Sequence, residues 1–399
     1  MSKPLAGVRV LEVAAWTFVP AAGAILADLG ADVIKVEPPT GDAQRGLKNM
    51  LNLSSDGPNP FNEIPNRGKR SITLDLTAPG GRDLLLRIAA TSDVFLTSYL
   101  PKARVKLGID VDDVRAVKAD IIYARGSGWG PEGPMANTGG FDLAAAWASS
   151  SLAHRLTDED GPKMQPAAFY DLQGGSTIAG AIGTALFKRE RTGQGSVIDV
   201  SLMNVGMWTM APDIVSAPYL DTAMVMDRRN MANPITNWYR TADDRWLYLV
   251  CLQADRYWRE LCDVIGRADL ADDPRYADAV VRFESRVACI AELDAVFAAA
   301  PLADWIKRFE SFSGVWAPAL TPKEIHTHRQ VGPNGYLPAL TDNDGVEFRL
   351  VAPPVQFDGE PTVPAGPAPE LGQHTEDVLL DVGLDWDAIS EARESGALG

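Results

Sequence analysis

The sequence contains few of the side chains that most often build metal and redox sites. Of its 399 residues, three are cysteines and four are histidines. The cysteines, Cys251, Cys262 and Cys289, cannot all pair, and their spacing matches no zinc or CxxC pattern. We therefore predict no metal site and expect a reduced, cytoplasmic setting.

Long apolar runs and an excess of positive charge are also missing. No stretch approaches the roughly eighteen consecutive apolar residues of a membrane helix. The 37 basic and 53 acidic side chains give a net charge of −16, whereas a nucleic-acid partner needs clustered positive charge. The start, MSKPLAGVRVLEV, has no charged leader followed by an apolar core, so we expect no export. We predict neither a membrane partner nor a nucleic-acid partner.

The first forty residues predict a β-α-β unit. A strand over 8–13 is followed by a helix that opens at Pro20 and is closed by Gly30, and a second strand covers 33–37. Such units build mostly parallel sheets. Strands and helices go on alternating to about residue 202, so we predict an α/β class.

Chain length predicts more than one domain, because a single core stops growing beyond roughly 250–300 residues. We place a large α/β domain at 1–220 and a smaller α+β domain at 225–330. A proline-rich return linker and a C-terminal helix that packs on the large domain occupy 331–399.

Two stretches depart from the regular alternation. The segment 38–68 is rich in Pro, Gly, Asn and Asp, and we predict a surface excursion there. The second stretch is a helix that ends at Gly193 and contains four interior glycines, each costing up to about 1 kcal/mol relative to alanine. We infer that another backbone or a ligand lies unusually close to this helix. The four residues are Gly174, Gly175, Gly180 and Gly183.

Common cofactor and nucleophile motifs are absent. The first turn, AAWTFVPAAG, lacks G-x-G-x-x-G, which argues against NAD or FAD, and GSGWG at 126–130 lacks the order of a nucleophile elbow. We interpret His154 as structural or exposed and His374 as a helix-start residue. His326 and His328 lack a third ligand at a recognisable spacing.

Asp171 is the best candidate for catalysis. It precedes LQGGS, where a helix is expected to begin. A carboxylate at a helix N-terminus is held ionised by the helix dipole, and covalent catalysis by aspartate requires that state. The glycines that follow would let a substrate approach, and their N–H groups could stabilise an oxyanion. The alternative on pattern alone is that Asp171 merely caps the helix.

Six sequence strings, in order along nearly the whole chain, carry a resemblance to a known family. They are PLAGVRVLEV with LADLGADVIKVEPPTGD, NRGKRSITLDL, DVFLTSYLPKARVKLGI, IIYARGSGWGPEGP with GGFDL, RTGQGSVIDVSL and APELGQHTEDVL. In these the chain resembles the class III CoA transferases, the group of formyl-CoA and carnitine CoA transferases, with α-methylacyl-CoA racemase as a relative. The resemblance implies a ring-like subunit with a large Rossmann-like, CoA-binding domain at 1–220 and a small domain. This subunit would interlock with a second copy to form a homodimer.

The resemblance also implies the chemistry. Asp171 would attack an acyl-CoA thioester to give a mixed anhydride, and the released CoA would then form an aspartyl-CoA thioester. An acceptor carboxylic acid would be activated by the reverse steps. CoA is thus a substrate, and no permanently bound cofactor is implied.

The resemblance also implies contacts to CoA and to the acyl group, one residue at a time. The alternative for each residue is that it is a solvated surface residue or part of the core. The predicted CoA-binding residues are Trp16, Thr17, Arg70, Leu74, Ser98, Tyr99, Arg104, Lys106 and Arg125, and the predicted substrate pocket is formed by Trp129, Tyr170, Gly174 and Gly175. Because CoA is highly anionic, we expect four basic residues to gather at one cleft. They are Arg45, Arg70, Arg104 and Lys106.

Three functions remain open from the sequence. The first is CoA transfer through Asp171. The second is racemisation of 2-methylacyl-CoA, but in that branch a histidine stands where this chain has Phe141. The third is CoA binding without catalysis, suggested by Thr17 in place of a common glutamine and by Pro38 in place of a phosphate-binding arginine. Aromatic side chains around the site would favour a substrate larger than formate or oxalate, unless they belong to the core.

Overall fold

Two units make up the chain, and the computed structural model describes residues 3–50, 57–220 and 227–399. One unit comprises residues 1–222 and 329–399, and the other comprises 223–328. The domain boundary that we predicted between 220 and 225 falls outside the described residues.

A parallel sheet is the centre of the first unit. Its strands are β1 (Arg9–Val13), β2 (Asp32–Glu37), β3 (Arg70–Thr73), β4 (Val94–Thr97), β5 (Ile122–Ser127) and β6 (Val197–Ser201). Their order across the sheet is β3-β2-β1-β4-β5-β6, and every neighbouring pair is parallel. The chain runs from β1 outward to β3 and then returns beside β1 with β4, which is the Rossmann order. The predicted α/β class with a mostly parallel sheet is confirmed.

Helices connect these strands. They are α1 (Phe18–Asp28), α2 (Leu47–Met50), α3 (Pro60–Asn66), α4 (Gly81–Ala89), α5 (Pro101–Leu107), α6 (Val111–Val117), α7 (Leu152–Arg155), α8 (Phe169–Thr192), α9 (Leu202–Thr209) and α10 (Ala211–Ser216). A π-helical stretch covers Leu143–Ala148, and single 3₁₀ turns lie at Ala43–Gly46 and Ala217–Tyr219.

The second unit packs helices on a small antiparallel sheet. Its strands β7 (Thr236–Arg240), β8 (Trp246–Val250) and β9 (Trp316–Pro318) lie in that order. Its helices are α11 (Ala254–Val264), α12 (Ala268–Ala271), α13 (Ala279–Glu284), α14 (Arg286–Phe297), α15 (Leu302–Phe309) and α16 (Pro322–Ile325), with 3₁₀ turns at Arg228–Asn230 and Pro274–Tyr276. Buried aromatic and aliphatic side chains, including Trp258, Phe297 and Trp305, form its own core.

The C-terminal segment returns to the first unit. It forms two short hairpins and two helices: β10 (Ala339–Thr341) with β11 (Glu347–Arg349), β12 (Gln356–Phe357) with β13 (Glu360–Pro361), α17 (Thr375–Asp381) and α18 (Trp386–Glu394). Val378 and Ile389 of the two helices are buried in the same core cluster as Leu11 of β1. Among the residues that the structure describes, no helix combines the length and the apolar composition needed to cross a membrane.

Apolar side chains cover both faces of the parallel sheet. Successive strand residues point to opposite faces, and the neighbours Val10 and Leu11 therefore belong to different core clusters. Helices α1 and α8 pack on the face of Val10. Helices α4, α6, α17 and α18 pack on the face of Leu11.

Two local predictions are wrong. The stretch 38–68, expected to be a surface excursion, forms a 3₁₀ turn and two helices in its described parts, and it buries Gln44 and Asn66. A single C-terminal helix was expected, but Gly383 adopts φ 84° and separates α17 from α18. Periodicity misses such short elements because caps and left-handed glycines define them.

Candidate active site

A cavity of about 210 Å³ lies beyond the carboxyl ends of the central strands. Its lining comprises Ala15, Trp16, Phe18, Ser98, Leu100, Gly126, Ser127, Gly128, Gly139, Gly140, Phe141, Asp171 and Leu202. Ala15 follows β1 and Ser98 follows β4, so the cavity lies where the strand order reverses. Open α/β sheets bind ligands at this point.

Asp171 lies in the first turn of α8. The helix begins at Phe169 after Ala168, which adopts a left-handed φ of 57° and offers no side-chain cap. Asp171 therefore occupies the third helical position. The alternative hypothesis, that Asp171 caps the helix, is wrong. It is partly buried, and its carboxylate has no hydrogen-bond or ion-pair partner among the described residues. A carboxylate without a partner inside a cavity is free to react with a ligand.

Asp142 supplies the capping interaction that Asp171 does not. Its Oδ2 accepts the backbone N–H of Tyr170 at 3.3 Å, and its side chain is 7% exposed. Carboxylates near a helix N-terminus satisfy free N–H groups in this way. Asp142 thereby fixes the first turn of α8 from another part of the chain.

Burial and a neighbouring charge set the protonation of Asp171. Burial, and secondly the carboxylate of Asp142, raise the pKa of Asp171 to about 7. Desolvation penalises the ionised form, and a like charge penalises it further. The expectation that the helix dipole would hold Asp171 fully ionised is therefore wrong in direction, because these two effects outweigh the dipole.

Aromatic rings and glycines build the cavity wall. The rings of Trp16 and Phe141 meet edge to face at 5.3 Å and 87°. A Cβ on Gly128 would lie 2.9 Å from the Cα of Gly140, so the two glycine loops touch backbone to backbone. Trp129 contributes from outside the lining, since its indole N–H donates to the Gly139 carbonyl at 3.2 Å.

The cavity brings together only some of the predicted residues. Trp16, Ser98 and Asp171 line it. Thr17 is 8% exposed and lies outside the lining, while Leu74 and Tyr170 are buried in the two core clusters of the sheet. Tyr99, after β4, is half-buried outside the lining.

The glycines of α8 serve helix packing. A Cβ on Gly174 would lie 2.3 Å from the Phe18 ring, and one on Gly175 would lie 2.7 Å from the Ala21 Cβ. The inference of a close neighbour is confirmed for these two positions, and that neighbour is α1. Gly180 and Gly183 face open space, with no atom of the described residues within 4 Å of an added Cβ.

The predicted basic residues do not gather at this cavity. Arg45 pairs with Glu37 at the carboxyl end of β2, whereas Arg70 pairs with Asp32 at the amino end of the same strand. Arg45 and Arg70 therefore lie toward opposite ends of the sheet, and the prediction of one basic cleft is wrong. Each is held by a nearby carboxylate, because a half-buried guanidinium needs an anionic partner.

The other predicted cations divide into paired and exposed residues. Arg104 is 5% exposed and donates to Asp110 at 3.0 Å and to the Tyr99 carbonyl at 2.7 Å. Arg125 pairs with Asp199 on the neighbouring strand. Lys106 is exposed on α5, the helix that begins one residue after the cavity residue Leu100.

Sequence reasoning missed much of the lining and also Asp142. Phe18 opens α1, Leu202 opens α9, Leu100 precedes α5 and Ser127 ends β5. Their position at the carboxyl ends of parallel strands is a signal that could have identified them. Asp142 offers no such signal, because only the fold brings it beside the first turn of α8.

Histidines and metal ligands take no part in the cavity. His374 is the residue before α17, as expected, and its Nδ1 accepts the Ser71 N–H at 3.3 Å. His154 is exposed on α7. Within the described ranges, no group of three or more His, Cys, Asp or Glu side chains is arranged to hold a metal ion.

Comparison with known proteins identifies the family to which this chain belongs. The sequence model of CoA-transferase family III matches residues 5–375. The (R)-2-hydroxy-4-methylpentanoate CoA-transferase of Clostridioides difficile is 28% identical over 397 residues, covering 98% of each chain. The succinyl-CoA:glutarate CoA-transferase of Mus musculus is 31% identical and covers 99% of this chain and 90% of its own.

A solved structure agrees in fold. Rv3272 from Mycobacterium tuberculosis superposes with a TM-score of 0.81 at 29% identity, over 94% of this chain and 99% of that chain. The family match, the similar sequences and the shared fold each extend over nearly the whole chain. The chain therefore belongs to CoA-transferase family III and is a transferase enzyme of that family.

Proposed function

We propose that this enzyme moves CoA from an acyl-CoA thioester to a carboxylic acid with Asp171 as the nucleophile. One observation carries the proposal. Among the described residues that line the cavity, Asp171 is the only acid or base. It lies at the strand-order reversal, where α/β enzymes bind their ligands.

The carboxylate of Asp171 begins the reaction by attacking the thioester carbonyl carbon. The C–S bond breaks, CoA leaves as a thiolate, and an acyl-aspartyl anhydride forms. The thiolate then attacks the aspartyl carbonyl, which releases the first carboxylate and leaves an aspartyl-CoA thioester. The acceptor carboxylate then attacks the aspartyl-CoA thioester, which releases the CoA thiolate and forms a second acyl-aspartyl anhydride. The thiolate attacks the acceptor's carbonyl carbon in this anhydride, which gives the new acyl-CoA and regenerates Asp171.

The protonation of Asp171 suits this sequence. Only the ionised carboxylate is a nucleophile, and a pKa of about 7 leaves a large ionised fraction at neutral pH. A carboxylate with a raised pKa is also more basic and less solvated than an ordinary aspartate. Burial and the charge of Asp142 therefore favour reaction with a thioester.

The cavity wall supports an apolar acyl group as substrate. Its large side chains are all apolar or aromatic, namely Trp16, Phe18, Leu100, Phe141 and Leu202. Its described lining offers no Lys, Arg or His to pair with a second carboxylate. We therefore propose an apolar monocarboxylic acid rather than a dicarboxylic acid, and one larger than formate or oxalate.

CoA is proposed to extend from the cavity along α5. Trp16 and Ser98 line the reactive end. Lys106, exposed on the helix that follows Leu100, is available to a phosphate, unlike Arg70, Arg104 and Arg125, which carboxylates already hold. No other cofactor takes part in the proposed steps.

A homodimer is proposed on the basis of an exposed apolar surface. Trp208, Val215 and Tyr219, on α9, α10 and the turn that follows, are 83%, 69% and 86% exposed. Large apolar side chains left this exposed within one short segment are typical of a contact face. A sedimentation mass of two chains would support the dimer, and a monomer at micromolar concentration would contradict it.

A cytoplasmic location remains a prediction, supported by three free, buried cysteines.

Isotope exchange and trapping test the proposal. We expect wild-type enzyme to exchange CoA between 4-methylpentanoyl-CoA and deuterated 4-methylpentanoate faster than between succinyl-CoA and glutarate. Hydroxylamine should convert the aspartyl-CoA thioester to a hydroxamate at Asp171, detected by peptide mass spectrometry. Asp171→Asn should abolish both signals, whereas Asp83→Asn, at the third position of α4, should retain them.

Other outcomes would identify the alternatives. Retained exchange in Asp171→Asn would contradict the nucleophile. Deuterium incorporation at the α-carbon of 2-methylacyl-CoA without any acceptor acid would favour a racemase. Phe141 argues against that result, because it is a ring without a titratable group at the place of the base. Binding of acyl-CoA with neither exchange nor hydroxamate would indicate a non-catalytic homologue.

A further inference from the structure

The loop that carries Trp16 rests on charged side chains buried beneath the cavity. Lys35 of β2 has no exposed surface, and Asp42, five residues after that strand, is 6% exposed. Neither side chain lines the cavity or contacts Asp171. The proposed chemistry therefore leaves both without a role.

Hydrogen bonds join these charges to the loop at two backbone positions, one on each side of Ala15. Lys35 Nζ donates to the Ala14 carbonyl at 3.2 Å and to Asp42 Oδ2 at 3.0 Å. The backbone N–H of Trp16 donates to both carboxylate oxygens of Asp42 at 3.2 Å. Lys35 also pairs with the buried carboxylate of Glu12 on β1 at 3.3 Å, so a cluster of buried charges holds the chain on both sides of Ala15.

Two more bonds complete the attachment. Gln44, whose N–H donates to Asp42 Oδ1 at 3.0 Å, donates its side-chain amide to the Thr17 hydroxyl at 3.0 Å. The N–H of Ala15 donates to Ser98 Oγ at 3.1 Å. Every residue from 14 to 17 is therefore fixed by a side chain from another element.

Trp16 needs this support because of its backbone. It adopts φ 68°, a left-handed conformation that bulky side chains avoid. Such strain persists only where the surroundings over-determine it, and it concentrates at active sites. This conformation places the indole against Phe141 in the cavity wall.

Stability alone does not account for the buried charges. Replacing a buried ion pair with well-packed apolar side chains is often neutral or stabilising. A charge pair does supply fixed geometry, because each partner must satisfy specific donors and acceptors. The donors and acceptors satisfied here include the Ala14 carbonyl and the Trp16 N–H of the loop.

We propose that Lys35, Asp42 and Gln44 form a clamp that holds Trp16 in its strained conformation, making them positioning residues for the transfer reaction. The proposal rests on the proposed function, because it treats the cavity as the active site. It also gives Thr17 a role: its hydroxyl is a contact of the clamp rather than of the substrate.

Asp42→Ala tests the clamp against a matched control, Asp28→Ala. Asp28 is 1% exposed, pairs with Arg67 at 2.8 Å and accepts one backbone N–H, but it does not contact the loop. Both variants should lower the melting temperature. At temperatures where both are folded, Asp42→Ala should lower kcat/KM for 4-methylpentanoyl-CoA at least tenfold, and Asp28→Ala should keep it within twofold. Equal losses in the two variants would overturn the proposal.

A milder pair of variants covers the case in which Asp42→Ala fails to fold. Thr17→Val and Gln44→Met both remove the hydrogen bond between these two side chains, and Gln44→Met also removes the bond from Gln44 Nε2 to the Phe61 carbonyl at 2.7 Å. Each variant should lower kcat/KM at least about threefold. The double variant should be no worse than Gln44→Met alone, because the shared bond can be lost only once. Additive losses, or no loss in either single variant, would contradict the clamp.

Fluorine NMR separates failure of the clamp from failure of the proposed function. In protein labelled with 5-fluorotryptophan, the Trp16 resonance is assigned by its loss in Trp16→Phe. It should shift or broaden in Asp42→Ala and stay unchanged in Asp28→Ala, whether or not the enzyme transfers CoA. An unmoved resonance in Asp42→Ala would overturn the clamp. A moved resonance in a protein without transferase activity would overturn only the proposed function.

Discussion

Asp171→Asn should make the protein more stable at alkaline pH while abolishing transfer. Burial and the charge of Asp142 raise the pKa of Asp171 to about 7, whereas an unfolded aspartate titrates near 3.9. An acid whose folded-state pKa is the higher one loses stability as pH rises from its unfolded value to its folded value. The wild type therefore loses stability between about pH 4 and pH 7 through this residue, and the asparagine variant does not.

The size of the effect follows from the shift. The pKa of Asp171 differs by roughly three units between the folded and the unfolded protein. At about 1.4 kcal/mol per unit, this changes the free energy of unfolding by at most about 4 kcal/mol. Solvent in the cavity screens part of this, because Asp171 is only partly buried. Between pH 5 and pH 8 we expect the stability of Asp171→Asn relative to wild type to rise by about 1 kcal/mol.

Urea unfolding at pH 5 and pH 8 measures this difference. Asp83→Asn is the control, because Asp83 occupies the same third position of α4 but is exposed. It removes a carboxylate from a helix first turn without removing a buried charge, so its effect should not grow with pH. A stability difference between Asp171→Asn and wild type that is the same at both pH values would refute the reasoning.

Three further predictions concern other parts of the site. Asp142→Asn keeps an oxygen that can accept the N–H in the first turn of α8, but it removes the charge that raises the pKa of Asp171. The midpoint of the pH-rate profile should therefore fall to lower pH, and an unchanged midpoint would count against this coupling. Gly174→Ala places a Cβ 2.3 Å from a ring of α1 and should lower the free energy of unfolding by about 1–3 kcal/mol. Gly180→Ala adds a Cβ in open space and should be neutral or stabilising. A larger loss of stability in Gly180→Ala than in Gly174→Ala would contradict the packing. Lys106→Ala should raise the KM for acyl-CoA about two- to fivefold at low salt and less at high salt, and a salt-independent effect would exclude a phosphate contact.

Much of the fold could be predicted because its signals are local. The apolar run at Val10 and Leu11, the glycine at 30 and the alternation that follows predict parallel strands with helical crossovers, and the sheet confirms them. The helix ending at Gly193 was also predicted correctly. Short elements between residues 38 and 68 were missed, because side-chain caps such as Asn59 define them rather than periodicity.

The site was less predictable, because its electrostatics depend on distant residues. Asp171 stands out in the sequence, but the dipole argument gave the wrong direction for its pKa. The decisive neighbour, Asp142, is 29 positions away along the chain, and only α8 and the preceding loop bring the two together. The prediction of one basic cleft was wrong for the same reason, because Arg70 forms its ion pairs at the other end of the sheet.

The sequence by itself determined the fold class and the family, and it singled out Asp171 as the candidate nucleophile, because strand and helix patterns and family motifs are properties of short segments. The tertiary structure alone decided which residues face the cavity and which burial and neighbouring charge raise the pKa of Asp171. It also decided that a buried carboxylate accepts the backbone N–H of Trp16, which adopts a left-handed conformation. Burial and charge proximity arise only when separate segments pack together, so these properties cannot be read from any one segment.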